Sequence, residues 1–185
     1  MRIFLLGFMG VGKSTLGRLL AEQLALRFLD FDVLLEEHQQ MSISDIFARY
    51  GEVYFRKLEH DLLREVVQTN DQFVMGTGGG LPCFHNNMQF MNDHGQTIYL
   101  KSDPGAIAGR LGKSTGLRPL IVGKSDVELY QYVEETLAKR NKFYTQANLV
   151  IEVDLQATKE TNVELILNTI GQRSSRNQND KRGCD

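Results

Sequence analysis

Gly7-Phe8-Met9-Gly10-Val11-Gly12-Lys13-Ser14-Thr15 stands between the mostly apolar run Arg2 to Leu6 and an amphipathic stretch that begins at Ser14. The segment satisfies G-x-x-x-x-G-K-[ST] at every specified position, in the strand, loop and helix setting that gives the pattern meaning. Glycines let backbone N–H groups converge on phosphate oxygens, and the helix that follows points its positive end at them. The residues Gly10, Val11, Gly12, Lys13, Ser14 and Thr15 therefore read as a nucleotide-phosphate cradle. Lys13 reaches the β- and γ-phosphates, and Ser14 is placed to hold Mg²⁺. A glycine turn serving packing alone would not require Lys and then Ser after its last glycine.

Outward from the cradle, further strand signals recur with helical stretches between them. They are Phe28-Leu29 with Phe31, Phe73 to Met75, Thr97 to Leu100, and Leu149 to Ile151. Strands alternating with helices predict a five-stranded parallel sheet covered on both faces. In the first helix, Leu16, Leu20 and Leu24 recur every four residues with Leu19 alongside, so one apolar stripe faces the sheet and leaves Arg18 and Glu22 outside. Ser44 to Phe47 reads as a capped helix start, Glu52 to Gln68 as a longer helix, and Asp126 to Ala147 as a helix with Val127, Tyr130, Val133, Leu137 and Phe143 on its apolar face. The segment from Leu111 to Ser125, rich in glycine and cations with little periodicity, reads as a lid.

Length and charge bound the remaining options. The chain has 185 residues, 21 basic against 23 acidic, for a net charge of −2. That length fits one domain with a sizeable core, and the charge balance argues against nucleic acid or a membrane surface as partner. Two cysteines, Cys83 and Cys184, suggest neither a disulfide framework nor a zinc site and fit a reducing compartment. No apolar run is long enough to span a bilayer, so a cytoplasmic location is expected. From Gln172 onward no aliphatic or aromatic side chain occurs, which reads as a solvated tail.

Several residues beyond the cradle carry candidate chemistry. Asp30 and Asp32 flank Phe31 at the end of the second strand, where alternation would aim both carboxylates into one cleft. Beside phosphates, one could orient water on Mg²⁺ and the other accept a proton. Thr77-Gly78-Gly79-Gly80 after the third strand offers either ligand-facing N–H groups or a flexible turn. Arg56 and Glu59 stand three apart on a helix and can pair, as many solvated surface residues do. Arg56 and Arg140 earn notice because a guanidinium grips a planar carboxylate bidentately. Arg118, before Pro119 in the lid, could meet a transferring phosphate or remain solvated; Arg110 could stack on adenine or stay exposed. Phe47 and Phe55 read as core residues of the insertion rather than direct ligand contacts, though either could wall a pocket.

Taken together, GFMGVGKST, FLDFD, FRKLE, TGGG, LRPLI and RNKFYTQA resemble, in order and approximate spacing, the shikimate kinase family over about residues 1 to 170. The resemblance implies a P-loop, nucleoside-monophosphate-kinase-like α/β fold with a substrate-binding insertion at about 32–60 and a lid at about 111–125. It implies transfer of the ATP γ-phosphoryl group to the 3-hydroxyl of shikimate, a step of aromatic amino acid biosynthesis, with Mg²⁺ as cofactor. By position it makes Lys13, Asp32 and Arg118 catalytic, and assigns ATP to the cradle with Arg110 and Arg118. Ser14 would hold the metal, with Asp30 acting through water. It gives shikimate to Asp32, Arg56, Arg140 and Gly78, Gly79 and Gly80, has Glu59 orient Arg56, and brings the segment near Asn148 toward adenine. A monomer is expected. Two rival readings are a kinase of another hydroxy acid such as gluconate and a nucleotide-switched module, the latter lacking an N-K-x-D signature.

Overall fold

The computed structural model describes residues 1–113 and 123–182, with side chains described as far as residue 172. Among the described residues five strands form one wholly parallel sheet: β1 (Arg2–Leu6), β2 (Phe28–Asp30), β3 (Phe73–Gly76), β4 (Gln96–Lys101) and β5 (Leu149–Glu152), in the spatial order β2-β3-β1-β4-β5. The helices are α1 (Lys13–Gln23), α2 (Phe31–Gln39), α3 (Ile43–Thr69), α4 (Asn87–His94), α5 (Pro104–Gly112), α6 (Asp126–Tyr144) and α7 (Lys159–Arg182).

β1 is central, and its residues Ile3 to Leu6 are all buried, as expected of a parallel strand covered on both faces. Phe4 and Leu6 join the core beneath α2, α3 and α4, whereas Ile3 and Leu5 face the core shared with α1 and α7. The connection after β1 passes β3 to reach β2, whereas the connection after its neighbour β3 passes β1 to reach β4, so the two leave adjacent strands in opposite directions. The loop after β1 therefore opens at a topological switch point, where such sheets bind ligands. In α1 the stripe holds: Leu16 and Leu20 are buried while Arg18 and Glu22 are exposed.

Four expectations change in detail. β2 ends at Asp30 and the chain enters α2 at Phe31, so Asp30 occupies the N-cap position and Asp32 the first helical turn. The two carboxylates converge at a strand-to-helix junction rather than by alternation along a strand. The cap of α3 is Ser42, whose hydroxyl accepts from the Asp45 N–H at 3.1 Å, two residues before the expected start. α3 runs across both expected helices, kinked at Gly51, whose φ of 77° is left-handed backbone that glycine adopts readily. In α6 the buried face is Leu129, Val133, Leu137 and Tyr144, with Val127 and Tyr130 exposed. That rotation puts Arg140, between Leu137 and Tyr144, on the inward face.

The interval read as an insertion is α2 with the first part of α3. Of the lid, residues 114–122 lie outside the described residues, Arg118 among them. The stretch from Gln172, read as a solvated tail, is helical backbone as far as Arg182. None of the described helices is long and apolar enough to cross a membrane.

Candidate active site

The cradle takes its shape from backbone. Gly12, at the N-cap of α1, has φ of 107°, a conformation that disfavours residues carrying a Cβ. Lys13 opens the helix and its Nζ donates to the carbonyls of Gly7 at 2.8 Å and Phe8 at 3.0 Å. Ser14 Oγ donates to Asp30 Oδ2 at 2.7 Å, bringing a hydroxyl and a carboxylate together at the mouth. These hard oxygen donors suit Mg²⁺, which takes one or two protein oxygens beside phosphate and water. A cleft of about 490 Å³ is lined by Lys13, Ser14, Thr15, Asp30, Asp32, Gly79 and Arg110, among others.

The glycine turn is anchored rather than loose. Buried Thr77 ties it to β1, its N–H and its hydroxyl both donating to the Leu5 carbonyl, at 3.1 and 3.0 Å. Each glycine then meets one of the residues assigned to substrate. A Cβ on residue 78 would lie 2.6 Å from Asp32 Oδ1, on residue 79 it would lie 2.8 Å from Arg140 Nη1, and on residue 80 it would lie 2.5 Å from Arg56 Nη1. Backbone without side chains is what lets an acid and two guanidiniums from α2, α6 and α3 close on one turn. Phe8 in the cradle loop lies beneath Arg140, 5.7 Å from its Cζ, and joins the two halves of the site.

Electrostatics follow burial. Glu59 is 2% exposed and accepts from Arg56 Nη1 at 2.8 Å, so this pair belongs to the interior and not to a solvated surface. Desolvation pushes its carboxyl up to about 7, against the pull of Arg56. Asp32 also rises above the ordinary aspartate value because burial outweighs the attraction of Lys13. A carboxylate whose affinity for protons is raised in this way is a better general base near neutral pH.

Other expectations sort out by contact. Arg110 is exposed and borders the cleft. Asn148 does not point to the cleft's end of the sheet: its Oδ1 accepts from the Thr97 N–H at 3.0 Å, at the N-terminal ends of β4 and β5, opposite the cradle. Phe55 is buried, but Phe47 is exposed, its ring 4.4 Å from that of Phe55. Three residues escaped the sequence reading. Fully buried Tyr144 donates its hydroxyl to the Gly79 carbonyl at 2.5 Å, and burial pushes its phenol well up. Glu52 accepts from Arg56 Nε and Nη2 at 3.1 and 3.0 Å, and the Arg56 Cζ sits 4.2 Å from the Phe84 ring centroid. Spacing of four along a helix could have flagged Tyr144 beside Arg140 and Glu52 beside Arg56; nothing local marks Phe84.

Comparison with known proteins matches this arrangement. The family model described as shikimate kinase matches residues 9–171. The shikimate kinase of Azobacteroides pseudotrichonymphae is 45% identical over 149 residues, 80% of this chain and 88% of that protein. The crystal structure of shikimate kinase from Bacteroides thetaiotaomicron superposes with a TM-score of 0.87 at 37% identity, covering 92% of this chain and 98% of that one. Shikimate kinase from Acinetobacter baumannii, solved in complex with shikimate, gives 0.83 at 32% identity, with 93% of each chain covered. With a phosphate cradle, an acid at its mouth and two inward guanidiniums on one glycine turn, the chain belongs to the shikimate kinase family.

Proposed function

We propose that this protein transfers the γ-phosphoryl group of ATP to the 3-hydroxyl of shikimate. The observation that carries the reading is the run Gly78, Gly79, Gly80, against which Asp32, Arg140 and Arg56 successively pack. In this reading Arg56 and Arg140 hold the substrate carboxylate through charged hydrogen bonds. The hydroxyl to be phosphorylated then faces Asp32, and the triphosphate lies along Gly10 to Thr15 with Lys13 on its β- and γ-oxygens. Asp32 accepts the hydroxyl proton as that oxygen attacks phosphorus, while the bond to the bridging oxygen breaks and ADP leaves. Ser14, with Asp30 through water, would hold Mg²⁺, which when bound offsets charge on the phosphate oxygens. Arg110 would border the adenine, and Arg118 would add positive charge at the transferred group. The protein contributes positioning and preorganised charge rather than covalent chemistry.

The test is direct. Purified protein supplied with ATP, Mg²⁺ and shikimate should release ADP and form shikimate 3-phosphate, with gluconate inert and EDTA abolishing turnover. ADP release no faster with shikimate than without it would sink the reading. The same reading expects a cytoplasmic monomer, checked by cell fractionation and by light scattering.

A further inference from the structure

Arg56 is held by more than its acids. A guanidinium carries five N–H groups. Glu52 takes the one on Nε and one on Nη2, and Glu59 takes one on Nη1. Among the described residues that leaves one N–H on Nη1 and one on Nη2. Acids alone would fix Arg56 at a cost, because each added carboxylate repels the negatively charged group that the arginine is there to bind. An aromatic face holds a cation without adding net charge. Of the three rings near Arg56 among the described residues, Phe84 is the nearest, at 4.2 Å, against 5.2 Å for Phe55 and 5.9 Å for Phe47.

Phe84 is itself held in place. It directly follows the 3₁₀ turn Leu81–Cys83, whose Leu81 N–H donates to the Gly78 carbonyl at 3.2 Å and whose Cys83 N–H donates to that of Gly80 at 2.9 Å. Fully buried Asn87 donates to the Leu81 carbonyl at 3.0 Å and accepts from Arg64 Nη1 of α3 at 3.1 Å. The ring is thus tied to the glycine turn on one side and to the helix carrying Arg56 on the other.

We propose that Phe84 is a positioning residue for the acid grip, holding the Arg56 guanidinium so that its two remaining N–H groups present themselves together to the substrate carboxylate. The proposal rests on the shikimate reading of the site and adds to it a residue that acts through Arg56. Steady-state kinetics of Phe84→Leu, Phe84→Tyr and the volume-conserving Phe84→Met test it, with ATP KM and thermal melting as controls for folding. Leu and Met should each raise the shikimate KM about fivefold, with kcat held within about twofold and ATP KM unchanged, and Tyr should keep the parental KM. In an Arg56→Ala background, Phe84→Leu should add nothing further, because the ring acts through that guanidinium. A parental shikimate KM in Leu and Met, or a fivefold rise that persists without Arg56, would overturn the proposal while leaving the grip intact. A parental shikimate KM in Arg56→Ala itself would instead overturn the grip, and this proposal with it.

Discussion

The cradle and the acid grip meet at Gly79 and Phe8 but are built on opposite plans. The cradle is one contiguous segment, Gly7 to Thr15, that works through backbone N–H groups, one lysine and one hydroxyl. Its shape is local, set by left-handed glycines and by the start of α1. The grip is assembled from α2, α3, α6 and the turn after β3, and it works through side chains taken out of water. Burial is why Glu59 is pushed up to about 7 and why Asp32 rises, whereas the glycine loop itself carries no acid. Recognising phosphate by backbone costs little desolvation. Recognising a carboxylate by buried guanidiniums needs counter-acids, and these acids then titrate.

This contrast predicts that damage to the cradle, or to Asp32 where the two regions meet, lowers the chemical rate, and that damage to the guanidiniums of the grip weakens substrate binding. The largest effect is expected at the chemistry. Lys13→Ala should lower kcat by about a thousandfold while melting temperature stays near parental, measured by coupled ADP release. Asp32→Asn should cost about a hundredfold or more in kcat; a kcat within a few-fold of parental would remove Asp32 as base. Next, Arg140→Ala should raise the shikimate KM by about fiftyfold with ATP KM unchanged. If kcat fell instead and KM held, the two regions would not divide the work as described.

Gly79→Ala puts a methyl 2.8 Å from Arg140 Nη1 and should raise the shikimate KM by about tenfold, with nucleotide binding intact. Equal losses for both substrates would mean that the turn serves both halves of the site. The smallest effect concerns pH. Glu59 keeps its proton in the fold to about pH 7, whereas the unfolded chain releases it near 4.5. Between those values the fold binds the extra proton, so stability falls as pH rises through the window. Relative to the parent, Glu59→Gln should flatten that decline by on the order of 1 kcal/mol, read from melting at pH 5 to 8. Parallel pH curves for parent and variant would show that Glu59 carries no such burden.

How far the sequence revealed the site differs between the same two regions. The strand, glycine loop and helix start of the cradle were legible, because a phosphate loop is a short-range pattern whose geometry the next few residues enforce. Asp30 and Asp32 do line one cleft, but not by strand alternation: the chain turns into α2 at Phe31, before a strand could carry it to Asp32. Arg56 with Glu59 looked like an ordinary surface pair, since spacing on a helix says nothing about which face is covered. The face of α6 was misread by a similar margin, Val127 and Tyr130 proving exposed and Arg140 inward.

The amino-acid sequence alone determined the succession of five strands, the phosphate loop and the family resemblance, since these rest on periodicity and contiguous motifs. Only the tertiary structure decided that Gly78, Gly79 and Gly80 each receive a different charged side chain, that Tyr144 pins Gly79, and that Phe84 lies against Arg56. Those contacts join residues far apart along the chain, and burial, which gives them their energy and shifts their acids, exists only once the helices have packed on the sheet.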